Sequence, residues 1–149
     1  MWSVVEQTAL AEAEIEYEMY DSDTIWVKFP IVRGPDSLSD AFVVIWTTTP
    51  WTIPANQAVA FNPDVDYSLY RVEEVYSPEE LGFEPYALPD DLLIIADKLV
   101  DEVMAAAKVK SFRKVIDLTP EENLNHIKLR HPFVRTGPEG RYDDHWANE

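Results

Sequence analysis

The 149-residue sequence contains no cysteine, which excludes disulfides and thiolate metal sites. Glycine is scarce at four residues, and no glycine-rich phosphate loop, Walker signature or serine nucleophile elbow is present. Basic side chains are few as well. Twelve Lys and Arg stand against 28 Asp and Glu, giving a formal charge of −16 and a sequence pI near 4.4. A protein that grips nucleic acid over its own surface carries a basic footprint, and this composition offers none. Any such contact must rest on a local site or on neighbouring domains. No apolar run approaches the ~20 residues of a membrane span. The opening Met1-Trp2-Ser3-Val4-Val5-Glu6 lacks the basic n-region and apolar core of a signal peptide. A cytoplasmic location without membrane contact is the expectation.

What is present is the make-up of one globular domain, 46% apolar and 12% aromatic, with room for a real core. Over residues 6–20 the apolar Ala9, Ala11, Ala13, Ile15 and Tyr17 alternate with Glu12, Glu14, Glu16 and Glu18. Ala and Glu favour helices, yet the period of two predicts an extended ribbon with one solvated, charged face. Residues 23–30 also alternate, with Ile25, Val27 and Phe29 on one side and Trp26 and Lys28 on the other. Gly34-Pro35-Asp36-Ser37 is a turn. Residues 41–46 are continuously apolar, as for a strand buried on both faces.

Residues 57–61 and 67–75 read as strands, with Asn62-Pro63-Asp64 turning between them. Ser77-Pro78-Glu79-Glu80 has the form of a helix start, and residues 84–90 form a proline-containing loop. A strand at 92–95 feeds the clearest helix, 97–108, whose Leu99, Val100, Val103, Met104, Ala106 and Ala107 share one apolar face. Residues 112–118 are a strand, Thr119-Pro120-Glu121-Glu122 repeats the helix-start chemistry, and 126–133 is a last strand. About seven strands and one to three short helices, without a repeat, predict a sheet-dominated α+β fold, a barrel or sandwich.

The chemistry-bearing stretch is Trp46-Thr47-Thr48-Thr49-Pro50-Trp51-Thr52-Ile53-Pro54-Ala55-Asn56. It reads as a buried strand that ends in a crowd of hydroxyls. Thr47, Thr48, Thr49 and Thr52 each donate and accept hydrogen bonds. Pro50 and Pro54 fix φ, remove two backbone donors and hold the preceding residues extended, and Trp51 supplies a flat apolar wall. Such a cluster could orient a water and the sugar edge of an ester substrate. The same residues have a plain structural reading, since threonine packs well in strands and proline often ends them. The residues alone leave both open. His126, His131 and His145 lack metal-ligand spacing, so no metal is expected. His131 before Pro132 reads as a structural strand end.

The threonine run, and above all its Trp-Thr-Ile-Pro-Ala-Asn ending, resembles the peptide of isoleucyl-tRNA synthetase editing domains of alphaproteobacterial type. The related valyl and leucyl enzymes place Arg-Pro after the paired threonines, where this chain has Thr49-Pro50. Trp2 through Glu14 resembles the strand leading into that inserted domain, and Asp23-Thr24-Ile25-Trp26-Val27-Lys28-Phe29 and Arg130-His131-Pro132-Phe133 match as well. The resemblance covers about residues 1–133, in the family's order. It implies a barrel-like editing domain, with residues 1–22 as the ribbon leading in, 23–133 as the core and 134–149 as a divergent polar tail.

It also implies post-transfer editing, the double sieve described for this very family. Valine is one methylene short of isoleucine, and a second, smaller pocket hydrolyses the wrongly charged valyl-tRNA(Ile). Carried over by position, Thr48, Thr49 and Thr52 act on substrate or water. Thr47 lines the pocket, Trp51 walls it, and Asn56 holds the loop or the terminal adenosine. The step needs no cofactor. ATP and Mg belong to the synthetic domain, whose His-Ile-Gly-His and Lys-Met-Ser-Lys-Ser motifs are absent here. The implied partners are the valine-bearing 3′ end of tRNA(Ile) and the rest of the synthetase, and an open sheet edge would favour self-association.

The chain departs from the family after Phe133. There the family continues through further strands to Gly-Thr-Gly-x-Val-His-Thr-Ala-Pro-x-His-Gly-x-x-Asp, whose aspartate grips the substrate ammonium. This chain instead runs Val134-Arg135-Thr136-Gly137-Pro138-Glu139-Gly140-Arg141-Tyr142-Asp143-Asp144-His145-Trp146. Either the tail is a shortened echo, with Asp143 or Asp144 as the gripping carboxylate, or it is a polar loop and the motif lies outside the chain. The first reading makes an active hydrolase and the second an incomplete site or a recognition module without hydrolysis.

Overall fold

The computed structural model describes residues 2–19 and 21–134. Apolar alternation decides its centre. Strand β5 (Tyr67–Val75) turns Tyr70 and Val72 to one side of a sheet and Leu69 to the other, and β6 (Leu92–Ala96) does the same with Leu93 and Ile95 against Ile94. Both strands are therefore buried on both faces, as a period of two with few polar interruptions requires.

Strands β3 (Ile25–Arg33), β4 (Ala41–Thr47), β7 (Val109–Leu118) and β8 (Lys128–Leu129) complete a six-stranded mixed sheet in the order β7-β5-β6-β4-β3-β8. Only the β4–β6 pair is parallel. One face is covered by helix α2 (Val100–Ala106), whose buried Val103 and Met104 pack with Tyr70, Val72, Leu93 and Ile95. The other is covered by irregular chain, through Leu38, Leu124 and the half-buried Phe61 and Ile127. A Cβ on Gly34 would meet Ile127 Cγ2 at 3.0 Å, so the turn after β3 runs tightly under the segment that leads into β8.

Several expectations hold. Strand β3 carries Phe29 inward and leaves Trp26 37% exposed, and it continues past Pro30 to Arg33. Ser77 heads helix α1 (Pro78–Leu81) with both bonds of a capping box, and Gly82 ends it in the left-handed conformation. The helix foreseen at 97–108 is a 3-10 turn, Asp97–Leu99, followed by α2, with Leu99 left 49% exposed. The Thr119 start yields a single π-helical turn, Pro120–Leu124. There the Asn123 side chain, rather than Thr119, completes the bonding by accepting from the Thr119 amide.

Other expectations fail for identifiable reasons. The ribbon at 6–20 is reduced to a two-residue ladder between β1 (Trp2–Ser3) and β2 (Thr8–Ala9), and a 3-10 turn at Glu12–Glu14 interrupts the alternation. Ala and Glu prefer helical dihedrals, and without a partner strand that local preference wins. Residues 57–61 form no strand, because β4 and β5 are each already paired on both sides and offer no free edge. Strand β4 packs on both faces, through Ala41 and Val43 on one side and Phe42 and Val44 on the other, but not to its end, where Trp46 is 56% exposed. Of 126–133 only Lys128–Leu129 pairs with β3, and Pro132 has no amide to extend the ladder.

The sheet is not a barrel. Among the described residues β7 and β8 are the open edges, and β8 is too short to meet β7. Strand β7 breaks register with β5 three times and carries Lys110, Arg113 and Lys114. Bulges and charges of this kind blunt an edge instead of closing it. No helix among the described residues is long and apolar enough to cross a membrane.

Candidate functional site

The strand directions gather one rim of the sheet. The carboxyl ends of the parallel strands β4 and β6 lie there together, with the first residues of β3 and β5 beside them: Ile25 opposes Thr47, and Tyr67 opposes Ala96. Trp26 and Trp46 are directly cross-strand on one face of this rim. Chain leaving β4 at Thr47 enters a six-residue 3-10 turn, Pro50–Ala55.

The turn forms where the sequence removes alternatives. Pro50 stands at its start, where no amide is needed, and Pro54 deletes another donor within it. The threonines supply the missing bonds. The Thr47 hydroxyl accepts from the Thr49 amide at 3.1 Å and lies 3.2 Å from the Thr49 hydroxyl. The Thr49 carbonyl accepts from both the amide and the hydroxyl of Thr52, at 2.9 and 2.7 Å. The Asn56 amide closes on the Ile53 carbonyl at 3.0 Å, and its side chain donates to the Ala58 carbonyl at 3.1 Å.

Ile53 is the turn's buried anchor, whereas Trp51 is 71% exposed. Thr48 and Thr52 are exposed, and Thr47, Thr49 and Asn56 are half-buried. Among the described residues the Thr48 hydroxyl has no hydrogen-bond partner. The six threonine-peptide candidates thus run from the end of β4, at Thr47, through the turn, which holds Trp51 and Thr52, to Asn56 at its exit. Asp143 and Asp144 lie outside the described residues.

Sequence reasoning missed one close neighbour. His131 is buried, with Nε2 2.7 Å from the Ile53 carbonyl, and its Nδ1 accepts from the Phe133 amide at 3.2 Å. Its ring meets Phe29 and Phe133 edge-on, with centroids at 6.4 and 5.4 Å. The only sequence signal was a lone histidine before a proline, which says nothing of a contact 78 residues away.

A second polar cluster occupies the same rim farther along. Lys114 bridges Asp97 at 2.7 Å and Asp117 at 2.8 Å, and the Tyr70 hydroxyl donates to Asp97 at 3.0 Å. Burial would push the Asp97 carboxyl up, but hydrogen bonds from Lys114 and the nearby hydroxyls of Ser68 and Tyr70 outweigh it and hold it below its usual range. Bonding to Asp117 first, and then to Asp97, raises the Lys114 ammonium above its usual range. Burial, followed by the Asp97 bond, raises the Tyr70 phenol. These groups satisfy one another, so the cluster is a tie between β5, β7 and the 3-10 turn that follows β6.

No three His, Asp or Glu side chains among the described residues are arranged to hold a metal ion. Two shallow depressions, one beside Gly34 and Leu38 and one beside Phe42 and Arg130, lie at the opposite rim and include no threonine of the turn.

The isoleucine–tRNA ligase of Caulobacter vibrioides is 60% identical over 115 residues, 77% of this chain and 12% of that protein. That of Rhodopseudomonas palustris is 52% identical over 133 residues, 89% of this chain and 12% of that protein. That of Agrobacterium fabrum is 50% identical over 137 residues, 92% of this chain and 13% of that protein. The chain therefore spans only 12–13% of the length of these relatives. No family profile matches it.

Proposed function

Because the chain belongs to the isoleucine–tRNA ligase family, as a segment of it, we propose that it carries the editing step, hydrolysis of valine wrongly esterified to tRNA(Ile). The observation that carries this reading is the division of labour within the threonine turn. Thr47 and Thr49 spend their polar atoms on holding the turn, while Thr48, Trp51 and Thr52 face solvent.

In this reading water attacks the ester carbonyl, the carbonyl–ribose bond breaks, and the proton goes to the departing ribose hydroxyl. Free valine and uncharged tRNA(Ile) are the products. Thr52 donates its hydroxyl hydrogen to the Thr49 carbonyl, which leaves its lone pairs aimed outward to accept from the attacking water. The Thr48 hydroxyl binds the oxygen on which charge develops. Thr49 fixes the geometry of both. Trp51 packs against the adenosine or the aliphatic side chain, and Asn56 fastens the exit of the turn.

A carboxylate for the substrate ammonium would come from Asp143 or Asp144, or from sequence beyond this segment. No cofactor enters the step, and ATP and Mg serve the synthetic site of the larger protein. With a charge of −16, this segment would repel the phosphates of tRNA, so binding would rest largely on the rest of the synthetase. The expected setting is the cytoplasm.

The test is release of amino acid from valyl-tRNA(Ile) and isoleucyl-tRNA(Ile), by the chain and by the full-length synthetase, with a Thr48→Ala, Thr52→Ala double variant alongside. Selective release of valine, reduced by about 10²-fold or more in the double variant, is the expected result. Unchanged release in that variant would remove the threonines from the chemistry. Activity confined to the full-length enzyme would mean that this segment draws on the rest of the synthetase, for tRNA binding, for the ammonium carboxylate or for both.

A further inference from the structure

We propose that His131 is a positioning residue for the threonine turn, holding it in the conformation that presents Thr48, Trp51 and Thr52 by donating from Nε2 to the Ile53 carbonyl. Its consequence for catalysis rests on the hydrolytic reading above; its geometry does not.

The hydrogen positions follow from the partners. A carbonyl only accepts, so at 2.7 Å from the Ile53 oxygen Nε2 bears the proton. A backbone amide only donates, so Nδ1 accepting from Phe133 is bare. Two backbone groups thus place the donor at Nε2 and the acceptor at Nδ1. The Ile53 oxygen takes the Asn56 amide as well, and both of its lone pairs are used.

The turn needs such a tie. Its 3-10 bonds are geometrically weak, and its prolines remove donors. Of its side chains Ile53 alone is buried, while Trp51, Thr52, Pro54 and Ala55 are exposed. The histidine ring is itself fixed by Phe29 of β3 and by Phe133. His131 therefore transmits the rigidity of the sheet to a turn that packing hardly restrains. A flat ring with a donor at one end and an acceptor at the other makes both contacts at once.

The experiment compares His131→Gln with His131→Met in the 149-residue chain. The two side chains are close in size, and only glutamine can donate to Ile53. The readouts are amide exchange at Thr52 and Asn56, with β5 and β6 amides as the control, and the indole resonance of Trp51, assigned with Trp51→Phe. The expected result is exchange about tenfold faster at Asn56 in H131M, a displaced Trp51 resonance, and values near wild type in H131Q. Equal behaviour of the two variants, with the sheet amides unchanged, overturns the proposal.

If H131M does not fold, the ring-nitrogen resonances of wild-type His131 decide. A protonated Nε2 supports the tie, and a bare Nε2 overturns it. In the full-length synthetase H131M should lower kcat for valyl-tRNA(Ile) deacylation with little change in KM, and H131Q should restore it. Full activity of H131M despite a loosened turn removes the positioning role. Absence of deacylation in the wild-type enzyme would instead sink the editing reading and leave the tie to the resonance data.

Discussion

At the centre of the sheet Leu69, Tyr70, Val72, Leu93, Ile94 and Ile95 are each 4% exposed or less, whereas at its rim Trp46 and Trp51 are 56% and 71% exposed. The centre is held by burial, which is strong, additive and indifferent to direction. The rim is held by a handful of hydrogen bonds among Thr47, Thr49, Thr52, Ile53, Asn56 and His131, which are individually modest but directional. Stability and presentation are thereby separated. The first region can supply folding energy without constraining the second, and the second can leave hydroxyls and an indole unsatisfied because the first has already ordered the chain.

The sharpest way to break this comparison is at Leu93, which is 1% exposed beneath helix α2. Leu93→Ala should cost about 2–5 kcal/mol in urea denaturation. A loss below about 1 kcal/mol would mean that the centre does not carry the fold. A smaller effect is expected at Ser77, whose hydroxyl and amide exchange bonds with Glu80 at the head of α1. Ser77→Ala should cost about 1 kcal/mol, read as a shift of the urea midpoint at constant slope.

The same division explains what was legible in the sequence. Strand β5 was readable to the residue and β6 nearly so, because local alternation and global burial agree there. The Ser77 cap was readable because its chemistry lies within four residues. The strand expected at 57–61 failed because pairing depends on a free edge, which no local pattern reports. The barrel failed for the same reason, since closure depends on β7 and β8 meeting. At the rim, the threonine peptide stood out by its hydroxyls and prolines and by a family resemblance, but its 3-10 form did not. His131 was invisible as a partner because its contact with Ile53 spans 78 residues.

A smaller effect still is expected from acid. Glu80 takes two contacts from Lys110, at 2.8 and 2.9 Å, and these, followed by the Ser77 amide, lower its carboxyl from 4.5 to about 2. A carboxylate depressed on folding contributes stability that is present above 4.5 and is lost as pH falls toward about 2. Glu80→Gln keeps an oxygen for the capping box but not the charge. The gap in urea midpoint between wild type and E80Q should therefore be open at neutral pH and close over that interval. Solvent screening at this exposed pair keeps the gap small. A gap independent of pH would assign Glu80 to capping alone.

The smallest expected effect on stability is at Trp51, and it tests the comparison most directly. An indole that is 71% exposed removes little apolar surface from water when the chain folds, so Trp51→Ala should change stability by no more than about 0.5 kcal/mol. In the full-length synthetase the same change should lower kcat/KM for valyl-tRNA(Ile) deacylation if, as proposed, the indole is covered when substrate arrives. A stability loss above about 1 kcal/mol would show that Trp51 already packs in the free protein. The rim would then be a small core of its own, and the separation of folding from presentation would have to be drawn inside the turn, between Ile53 and Thr48.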